Sequence, residues 1–406
     1  MTRSGFKKTG GGVTAPLGFL AAGIHAGIKK PPIPDLALIV SQEAGPIAGV
    51  FTTNRVAAAP VIADRLRLKR GVGRAILVNS GNANACTGAR GLADAEEMAR
   101  LVAVRIEADP RTVFVGSTGV IGQPLPMARI RRGVPLLVRR LSRGGGSAAA
   151  RAILTTDLKP KEIALQASIA GRTVTVGGMA KGSGMIHPDM ATMLAYLTTD
   201  AAVAQPALQR ALRRSVARSF NCISVDGDTS TNDTVLCLAN GLAGNGTLRE
   251  GSPGFAEFQR LLDEACLSLA LQVVRDGEGV TKVVEILVTG AKREAEAKQV
   301  ARTVATSSLV KTALFGEDAN WGRIMAAVGR SGAPIDPDRI ALAFAGVPIV
   351  KQGVGLGQAA ERRIERVIRR KEFTIAIDLG RGAATARLWT TDLSYEYVKI
   401  NASYRS

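Results

Sequence analysis

The stretch AKGSGMIHPDMATML, residues 180–194, combines a lysine and two glycines with a threonine that precedes an apolar run. A threonine inside a chain is a poor nucleophile because nothing removes its hydroxyl proton. Attack of the Thr192 hydroxyl on the Ala191 carbonyl, followed by hydrolysis of the ester that forms, would cut the chain between Ala191 and Thr192 and leave Thr192 with a free α-amine. That amine, with a reference pKa of about 7.7–8.0, can act as the base. The stretch therefore favours a self-cleaving chain with an amino-terminal threonine nucleophile.

Strands and helices alternate on both sides of this stretch. Short apolar runs predict strands at 75–78 and 113–115, each followed by a glycine-containing loop, and apolar faces at helical spacing predict helices at 92–107, 206–218 and 258–269. Residues 373–379 alternate apolar and polar, and a glycine turn at 380–382 leads to a strand at 385–389, which predicts a hairpin. This mixture indicates an α/β fold with partly antiparallel sheets rather than a doubly wound one.

Composition excludes several classes of protein. The 406 residues are 46% hydrophobic and 21% charged, which suffices for two domains or one large two-layer domain. No window is apolar enough for a membrane span, and the first twelve residues lack the apolar segment of a signal peptide. Four scattered cysteines and two histidines argue against a zinc ribbon or a disulfide framework. We expect a soluble protein of the cytoplasm.

The net charge of +19 is unevenly distributed. Residues 1–191 hold 26 Lys and Arg against 11 Asp and Glu, and residues 192–406 hold 27 against 23. The excess lies in runs at 65–70, 129–143 and 362–371, which are interleaved with apolar residues and carry no aromatic side chains for stacking on bases. Solvated helix faces are therefore favoured over a nucleic-acid groove.

A glycine-rich segment at 116–122 follows a predicted strand. It has neither the dinucleotide-binding spacing nor the lysine of a phosphate-binding loop. Such a segment can offer backbone N–H groups and the Thr118 hydroxyl, which are the donors that an oxyanion hole needs. On residue chemistry alone, a structural turn is the stronger interpretation.

Three other candidates are weak. The polar run at 226–233 resembles a calcium loop but lacks the closing glutamate. His187 has no suitably placed carboxylate and is expected to be structural, while His25 is expected to pack or to form hydrogen bonds locally. Cys86 lacks a base partner, which argues against a thiol nucleophile.

Taken together, the segments of this chain resemble the ornithine acetyltransferase family, also called glutamate N-acetyltransferases, of arginine biosynthesis. The resemblance extends over nearly the whole chain and shows no departure at the motif positions. The matching segments are residues 18–29, 51–55, 78–85, 117–122, 155–157, 180–194, 221–233, 276–279, 315–323 and 401–406.

The resemblance implies a two-step acetyl transfer from N-acetylornithine to glutamate through an acetyl-threonine at Thr192. Thr118 and Gly119 match the oxyanion hole of the family. The matching substrate-binding positions are Thr155, Lys181, Thr192, Glu278, Asn401 and Ser406. The choice between Thr155 and Thr156 stays open.

The resemblance also implies an architecture. Cleavage gives an α chain of residues 1–191 and a β chain of residues 192–406, and two of each assemble into a heterotetramer. The implied fold is an α/β class with mixed, partly antiparallel sheets, packed as an α/β/β/α sandwich-like core with a second, smaller α/β region. No metal or organic cofactor is implied, and use of acetyl-CoA as an additional donor stays open.

Two alternatives remain. A related amino-terminal-nucleophile amidase or aminopeptidase would pass the acyl group to water, so its turnover would not depend on glutamate. A non-catalytic basic protein would retain DNA or RNA in a salt-sensitive way and would remain uncut.

Overall fold

A computed structural model describes residues 5–30, 33–187 and 193–403. The chain forms two compact units. The first unit runs to Asn221 and includes Asp228–Val273, and the second comprises Cys222–Gly227 and the chain from Val274 onward. Each unit has its own sheet, so each is described separately.

The first unit is built on nine strands and is flanked by helices. Its strands are β1 (Lys7–Lys8), β2 (Phe19–Ile24), β3 (Leu36–Phe51), β4 (Val72–Asn82), β5 (Val113–Val120), β6 (Lys161–Ile169), β7 (Arg172–Lys181), β8 (Leu194–Thr199) and β9 (Thr234–Ala239). Its helices are α1 (Ala59–Leu68), α2 (Gly88–Arg105), α3 (Met127–Arg139), α4 (Gly146–Ala152), α5 (Gln205–Ala217) and most of α6 (Phe255–Arg275).

The long strand β3 joins two halves of the nine-stranded sheet. The strand order is β1-β6-β7-β8-β9-β3-β4-β5, with β2 also paired to β3. The first half of β3 pairs with β2 and β4, and its end, from Ile47, pairs antiparallel with β9. Two pairs, β4 with β5 and β8 with β9, are parallel, so the sheet is mixed.

The two halves of this sheet face each other across an apolar core. Phe19, Ile39 and Phe114 from one half are buried in the same cluster as Met179 and Tyr196 from the other. Fully burying a side chain of this size contributes about 1.5–3 kcal/mol. The outer face of β2–β5 packs against α2 and α3. On the other side, α6 lies against β6 and β7, so the layers run α/β/β/α.

The second unit is a smaller α/β layer structure. Its strands are β10 (Val283–Ala291), β11 (Ala341–Phe344), β12 (Val347–Lys351), β13 (Val354–Gly355), β14 (Glu372–Asp378) and β15 (Ala384–Thr391). Its helices are α7 (Glu294–Ala305), α8 (Ser308–Phe315), α9 (Trp321–Gly329), α10 (Gln358–Ile368) and α11 (Tyr395–Ser403). The sheet order is β13-β12-β11-β14-β10-β15, and its apolar core includes Val300 and Ile375.

The predicted fold class is confirmed, and three of its local predictions need correction. The strand after the turn at 380–382 does not pair with the one before it, because β10 lies between β14 and β15. The predicted hairpin is therefore wrong. The predicted loops after the strands at 75–78 and 113–115 are also wrong, since β4 and β5 continue together as paired strands to Asn82 and Val120.

The basic runs lie mainly on exposed helix faces, as predicted. Arg129, Arg131 and Arg132 on α3 are exposed. The exception is Arg67, which is buried and pairs with Asp64 at 3.1 Å between Nη1 and Oδ1. No helix in the described part of the chain is both long and apolar enough to cross a membrane.

Candidate active site

The residues predicted to form the oxyanion hole, Thr118 and Gly119, lie near the end of strand β5. Thr118 and Gly119 are opposite Ser80 and Gly81 of the parallel strand β4. Gly119 has a φ of 131°, and a Cβ at this position would lie 2.4 Å from the carbonyl carbon of Gly81. Only glycine fits both the backbone conformation and this close approach.

Buried amide side chains hold this strand end in place. The Ser117 hydroxyl donates to Asn79 Oδ1 at 2.6 Å. Asn232 Nδ2 donates to the carbonyl oxygens of Ser117 at 2.8 Å and of Ala83 at 2.6 Å. Because a buried, hydrogen-bonded network is rigid, it holds the neighbouring Thr118 hydroxyl and Gly119 N–H in fixed positions.

Lys181, the last residue of β7, is buried beside Thr118. Its Nζ lies 3.3 Å from Thr118 Oγ1. A lysine ammonium can only donate hydrogen bonds, so the Thr118 oxygen is the acceptor here. The hydroxyl proton of Thr118 then stays available for another acceptor, as an oxyanion donor requires.

Asp157 connects the loop of Thr155 to the end of β7. Its Oδ2 accepts from Thr155 N at 3.0 Å, and its Oδ1 accepts from Gly182 N at 2.7 Å. The same oxygen is ion-paired with the buried Lys161. Burial raises the pKa of Asp157, but the ammonium groups of Lys181 and Lys161 outweigh it and set the pKa at about 2. The carboxylate is therefore charged at neutral pH.

Lys29 adds a third cation near this carboxylate. Its Nζ donates to the Leu154 carbonyl at 2.8 Å. Burial lowers its pKa to about 8, against the opposing effects of Asp35 and Asp157, while Lys181 lowers it further. Three lysines near one buried carboxylate give this part of the first unit an excess of positive charge, which suits an anionic substrate group.

The predicted nucleophile and cleavage site, Thr192 and Ala191, lie outside the described residues, as does Ser406. The chain is described again from Met193, whose N–H donates to the buried Asp233 Oδ1 at 2.9 Å. Burial raises the pKa of Asp233 well above its ordinary value. Asp233 thus anchors the residue that follows the predicted nucleophile.

The second unit brings together Glu278 and Asn401. Glu278 is buried, and Asn401 Nδ2, on helix α11, donates to its Oε2 at 2.8 Å. Asn401 also donates to the carbonyl of Tyr397 at 3.0 Å. The position of the Asn401 side chain on α11 is therefore fixed by two hydrogen bonds.

Two of the weak candidates, His25 and the run at 226–233, have local structural contacts. His25 Nδ1 lies 2.8 Å from the Ile33 carbonyl oxygen and 3.2 Å from Asp35 Oδ2, which confirms its local role. In the run at 226–233, Asn232 and Asp233 are committed to the contacts given above. Among the described residues, no three His, Cys, Asp or Glu side chains are grouped so as to hold a metal ion.

Sequence reasoning assigned no role to Asp157 or Asp233. Asp157 follows Thr155 by two residues and precedes Lys161 by four, a spacing that allows both a side-chain turn and an ion pair. That spacing was a usable signal. Asp233 gave none, because its partner lies 40 residues away.

A strand-end hydroxyl and backbone N–H beside a buried ammonium, on a mixed α/β scaffold, are the kinds of group that an acyl-transferring enzyme needs to stabilise an oxyanion. The ArgJ family model matches residues 20–406. The chain is 55% identical to the arginine biosynthesis bifunctional protein ArgJ of Geobacter sulfurreducens over 96% of this chain and 99% of that one. It is 52% identical to the Symbiobacterium thermophilum protein of the same name, over 98% of this chain and 99% of that one.

Solved structures are also similar. The ArgJ crystal structure from Bacillus halodurans is 44% identical, with a TM-score of 0.50, and covers 52% of this chain and 98% of that one. An ornithine acetyltransferase from Mycobacterium tuberculosis, solved with ornithine, is 41% identical with a TM-score of 0.43. The match covers 47% of this chain and 100% of that one. The chain belongs to the ArgJ family, and it is an acetyltransferase of arginine biosynthesis.

Proposed function

We propose that Thr192, freed by cleavage after Ala191, takes the acetyl group of N-acetylornithine and passes it to glutamate. Its hydroxyl attacks the acetyl carbonyl, its α-amine takes the hydroxyl proton, and ornithine leaves with a proton. The amine of glutamate then attacks the acetyl-threonine to give N-acetylglutamate and regenerate Thr192. One nucleophile serving both steps predicts ping-pong kinetics.

The contact between Lys181 Nζ and Thr118 Oγ1 carries this proposal. It presents a hydroxyl donor next to Gly119, where the negative charge of the tetrahedral intermediate would need stabilisation. Each such donor contributes about 3–4 kcal/mol to transition-state stabilisation. Thr118 and Gly119 are thus assigned as the oxyanion hole.

Charge suggests how the substrates are recognised. The α-carboxylate common to both substrates fits the buried ammonium of Lys181, with Thr155 alongside. The side-chain ammonium of ornithine fits the Glu278 carboxylate, which Asn401 orients. Ser406 is included as a substrate contact on the resemblance alone. The ornithine complex of the Mycobacterium tuberculosis relative supports ornithine as a ligand of this chain as well.

Chain lengths support the proposed cleavage. The Bacillus halodurans chain is matched over 98% of its length yet spans 52% of this one. The proposed β chain has 215 of the 406 residues, a similar fraction. We further propose that two α and two β chains assemble and act in the cytoplasm, and light scattering of the purified enzyme tests that stoichiometry.

Thr192→Ala tests the nucleophile. Without the hydroxyl, the chain should stay intact by mass spectrometry and lose at least 1,000-fold in acetyl transfer, because both cleavage and catalysis need it. Thr303→Ala removes an exposed hydroxyl on α7 and serves as the control. A Thr192→Ala protein that is still cut and active would contradict the assignment.

Glutamate dependence separates transfer from hydrolysis. The wild-type enzyme should release ornithine rapidly only when glutamate is supplied, and [acetyl-¹⁴C] label should move to glutamate. Equal release without glutamate, with label in acetate, would indicate the amidase alternative. Replacing N-acetylornithine by acetyl-CoA in the same assay determines whether the second donor is used.

A further inference from the structure

Lys29 is a partly buried lysine to which the proposed reaction assigns no contact. Its Nζ donates to the carbonyl oxygen of Leu154, the residue before Thr155, at 2.8 Å. Its backbone N–H donates to Oδ2 of the buried Asp35 at 2.9 Å, and Oδ1 of the same carboxylate accepts from Ala26 N at 2.6 Å. The backbone and the side-chain end of Lys29 are therefore both held, and its ammonium is fixed at the Thr155 loop.

The stem of Lys29 lies against the end of strand β4. A Cβ on Gly81 would be 2.6 Å from Lys29 Cγ, so the lysine side chain lies directly over this glycine. Gly81 is opposite Gly119 of strand β5, and a Cβ on Gly119 would be 2.4 Å from the Gly81 carbonyl carbon. A single residue, Gly81, therefore separates Lys29 from the proposed oxyanion hole.

The ammonium of Lys29 retains donors for a ligand. A lysine ammonium has three N–H donors, and the Leu154 carbonyl takes one of them. Within the part of the chain that the structure describes, Lys29 Nζ has no second hydrogen-bond partner. Burial lowers the pKa of Lys29 to about 8, because the ammonium has lost part of its hydration. An anion bound at the two remaining donors would compensate for that loss.

The α-carboxylate of the substrates is the anion that fits this place. Thr155 and Lys181 are its proposed contacts. Asp157 joins the segments that carry them, because it accepts from Thr155 N at 3.0 Å and from Gly182 N at 2.7 Å. A carboxylate has two oxygens with about four acceptor sites, more than the donors of one ammonium can fill. A second ammonium, held one residue from Thr155, supplies the donors that Lys181 alone lacks.

We propose that Lys29 is a second binding residue, alongside Lys181, for the α-carboxylate that N-acetylornithine and glutamate share. The inference rests on the proposed function, which supplies the two substrates and places their α-carboxylate at Thr155. Lys29 acts in both halves of the reaction, because each substrate presents the same carboxylate. Its contact is made in the ground state as well as in the transition state, so its loss raises KM more than it lowers kcat.

Lys29→Met is the direct test. The variant keeps an apolar stem over Gly81 but removes the ammonium. KM for N-acetylornithine and for glutamate should each rise about 10- to 100-fold, the effect of losing a charge-assisted hydrogen bond. Lys30→Met is the matched control, because it removes the same charge from the exposed side chain one residue further on and should leave both KM values unchanged. An unchanged KM for either substrate in Lys29→Met would overturn the inference.

A substrate without the carboxylate separates binding from a structural role. The α-carboxamide of N-acetylornithine lacks the charge that Lys29 contacts. Lys29→Met should therefore lower kcat/KM for the carboxamide by less than about 3-fold, against at least about 10-fold for the acid, because the interaction is already absent. If Lys29 only held the Leu154 carbonyl, the acid and the carboxamide would be affected to the same extent, and the inference would be wrong.

The same assays keep this inference apart from the proposed function. A wild-type enzyme that moves no acetyl group from N-acetylornithine to glutamate would refute the proposed function, whereas normal wild-type transfer with an unaffected Lys29→Met refutes the role of Lys29 alone. If Lys29→Met does not fold or is not cleaved, a crystal structure of the wild-type enzyme with glutamate decides. The α-carboxylate should lie within about 4 Å of Lys29 Nζ, the limit for an ion pair, and a longer distance would overturn the inference.

Discussion

At the scale of single residues, Glu278 is the acidic side chain that the proposed function assigns to the substrate ammonium. Its Oε2 already accepts from Asn401, which leaves carboxylate capacity for a cationic ligand. Glu278→Gln should raise KM for N-acetylornithine about 10- to 100-fold, because a charge-assisted hydrogen bond contributes about 1.5–3 kcal/mol. Steady-state kinetics measures this, and cleavage should be unaffected. Glu372→Gln, which removes the charge of a surface partner of Arg275, is the control and should leave KM unchanged.

Single residues also mark how far sequence reasoning extends. Thr118, Lys181, Glu278 and Asn401 could be proposed because they stand in short, recognisable motifs. Asp233 could not be, because the hydrogen bond to Met193 joins two segments that only the folded sheet brings together. Charge and residue type are local properties of the sequence, whereas burial and partnership are not.

At the scale of elements, the end of β5 depends on a glycine. Gly119→Ala should destabilise the protein by about 2–5 kcal/mol, because the new Cβ meets the backbone of Gly81 and the positive φ adds strain. Thermal or chemical unfolding measures the loss. Gly122→Ala has a similarly positive φ of 80° but open space around the Cβ, so it should cost only about 1–2 kcal/mol. Equal losses would show that strain rather than the close approach matters.

Most elements could be predicted from periodicity, but their pairing could not. The strands β14 and β15 lie where the alternating pattern put them, yet each pairs with β10 rather than with the other. A turn with glycines allows a hairpin without requiring one. The choice of neighbour is decided by the long-range packing of β10, which begins almost 90 residues earlier in the chain.

At the scale of the whole molecule, the stability of the protein should depend on pH through Lys311. This buried lysine donates to Thr391 Oγ1 at 2.9 Å and to the Thr391 carbonyl, and burial lowers its pKa from 10.5 to about 8. Between these values the unfolded chain binds more protons than the folded one, so the free energy of unfolding gains a contribution as pH rises from about 8 to 10.5. Below pH 8 the penalty for burying the charge is constant.

Lys311→Met isolates this contribution. Between pH 8 and 10.5 the free energy of unfolding of the wild type should rise by up to about 3 kcal/mol relative to that of the variant, because only the wild type carries the buried lysine. Urea unfolding at a series of pH values measures it. Lys399→Met, at an exposed position on α11, should show no such change. A pH-independent difference for Lys311→Met would contradict the prediction.

The order of strands in the large sheet determines whether the two products of the proposed cleavage stay together. β7 and β3 precede residue 192, while their neighbours β8 and β9 follow it, and antiparallel ladders join β7 to β8 and β3 to β9. Two separate polypeptides would therefore share one sheet. The backbone hydrogen bonds of both ladders, β7 with β8 and β3 with β9, would join one polypeptide to the other. Neither product could leave without exposing strand edges and a common core. The severed enzyme should behave in native solution as a single body that denaturant alone can divide, so that each pair of fragments stays the pair that was made together.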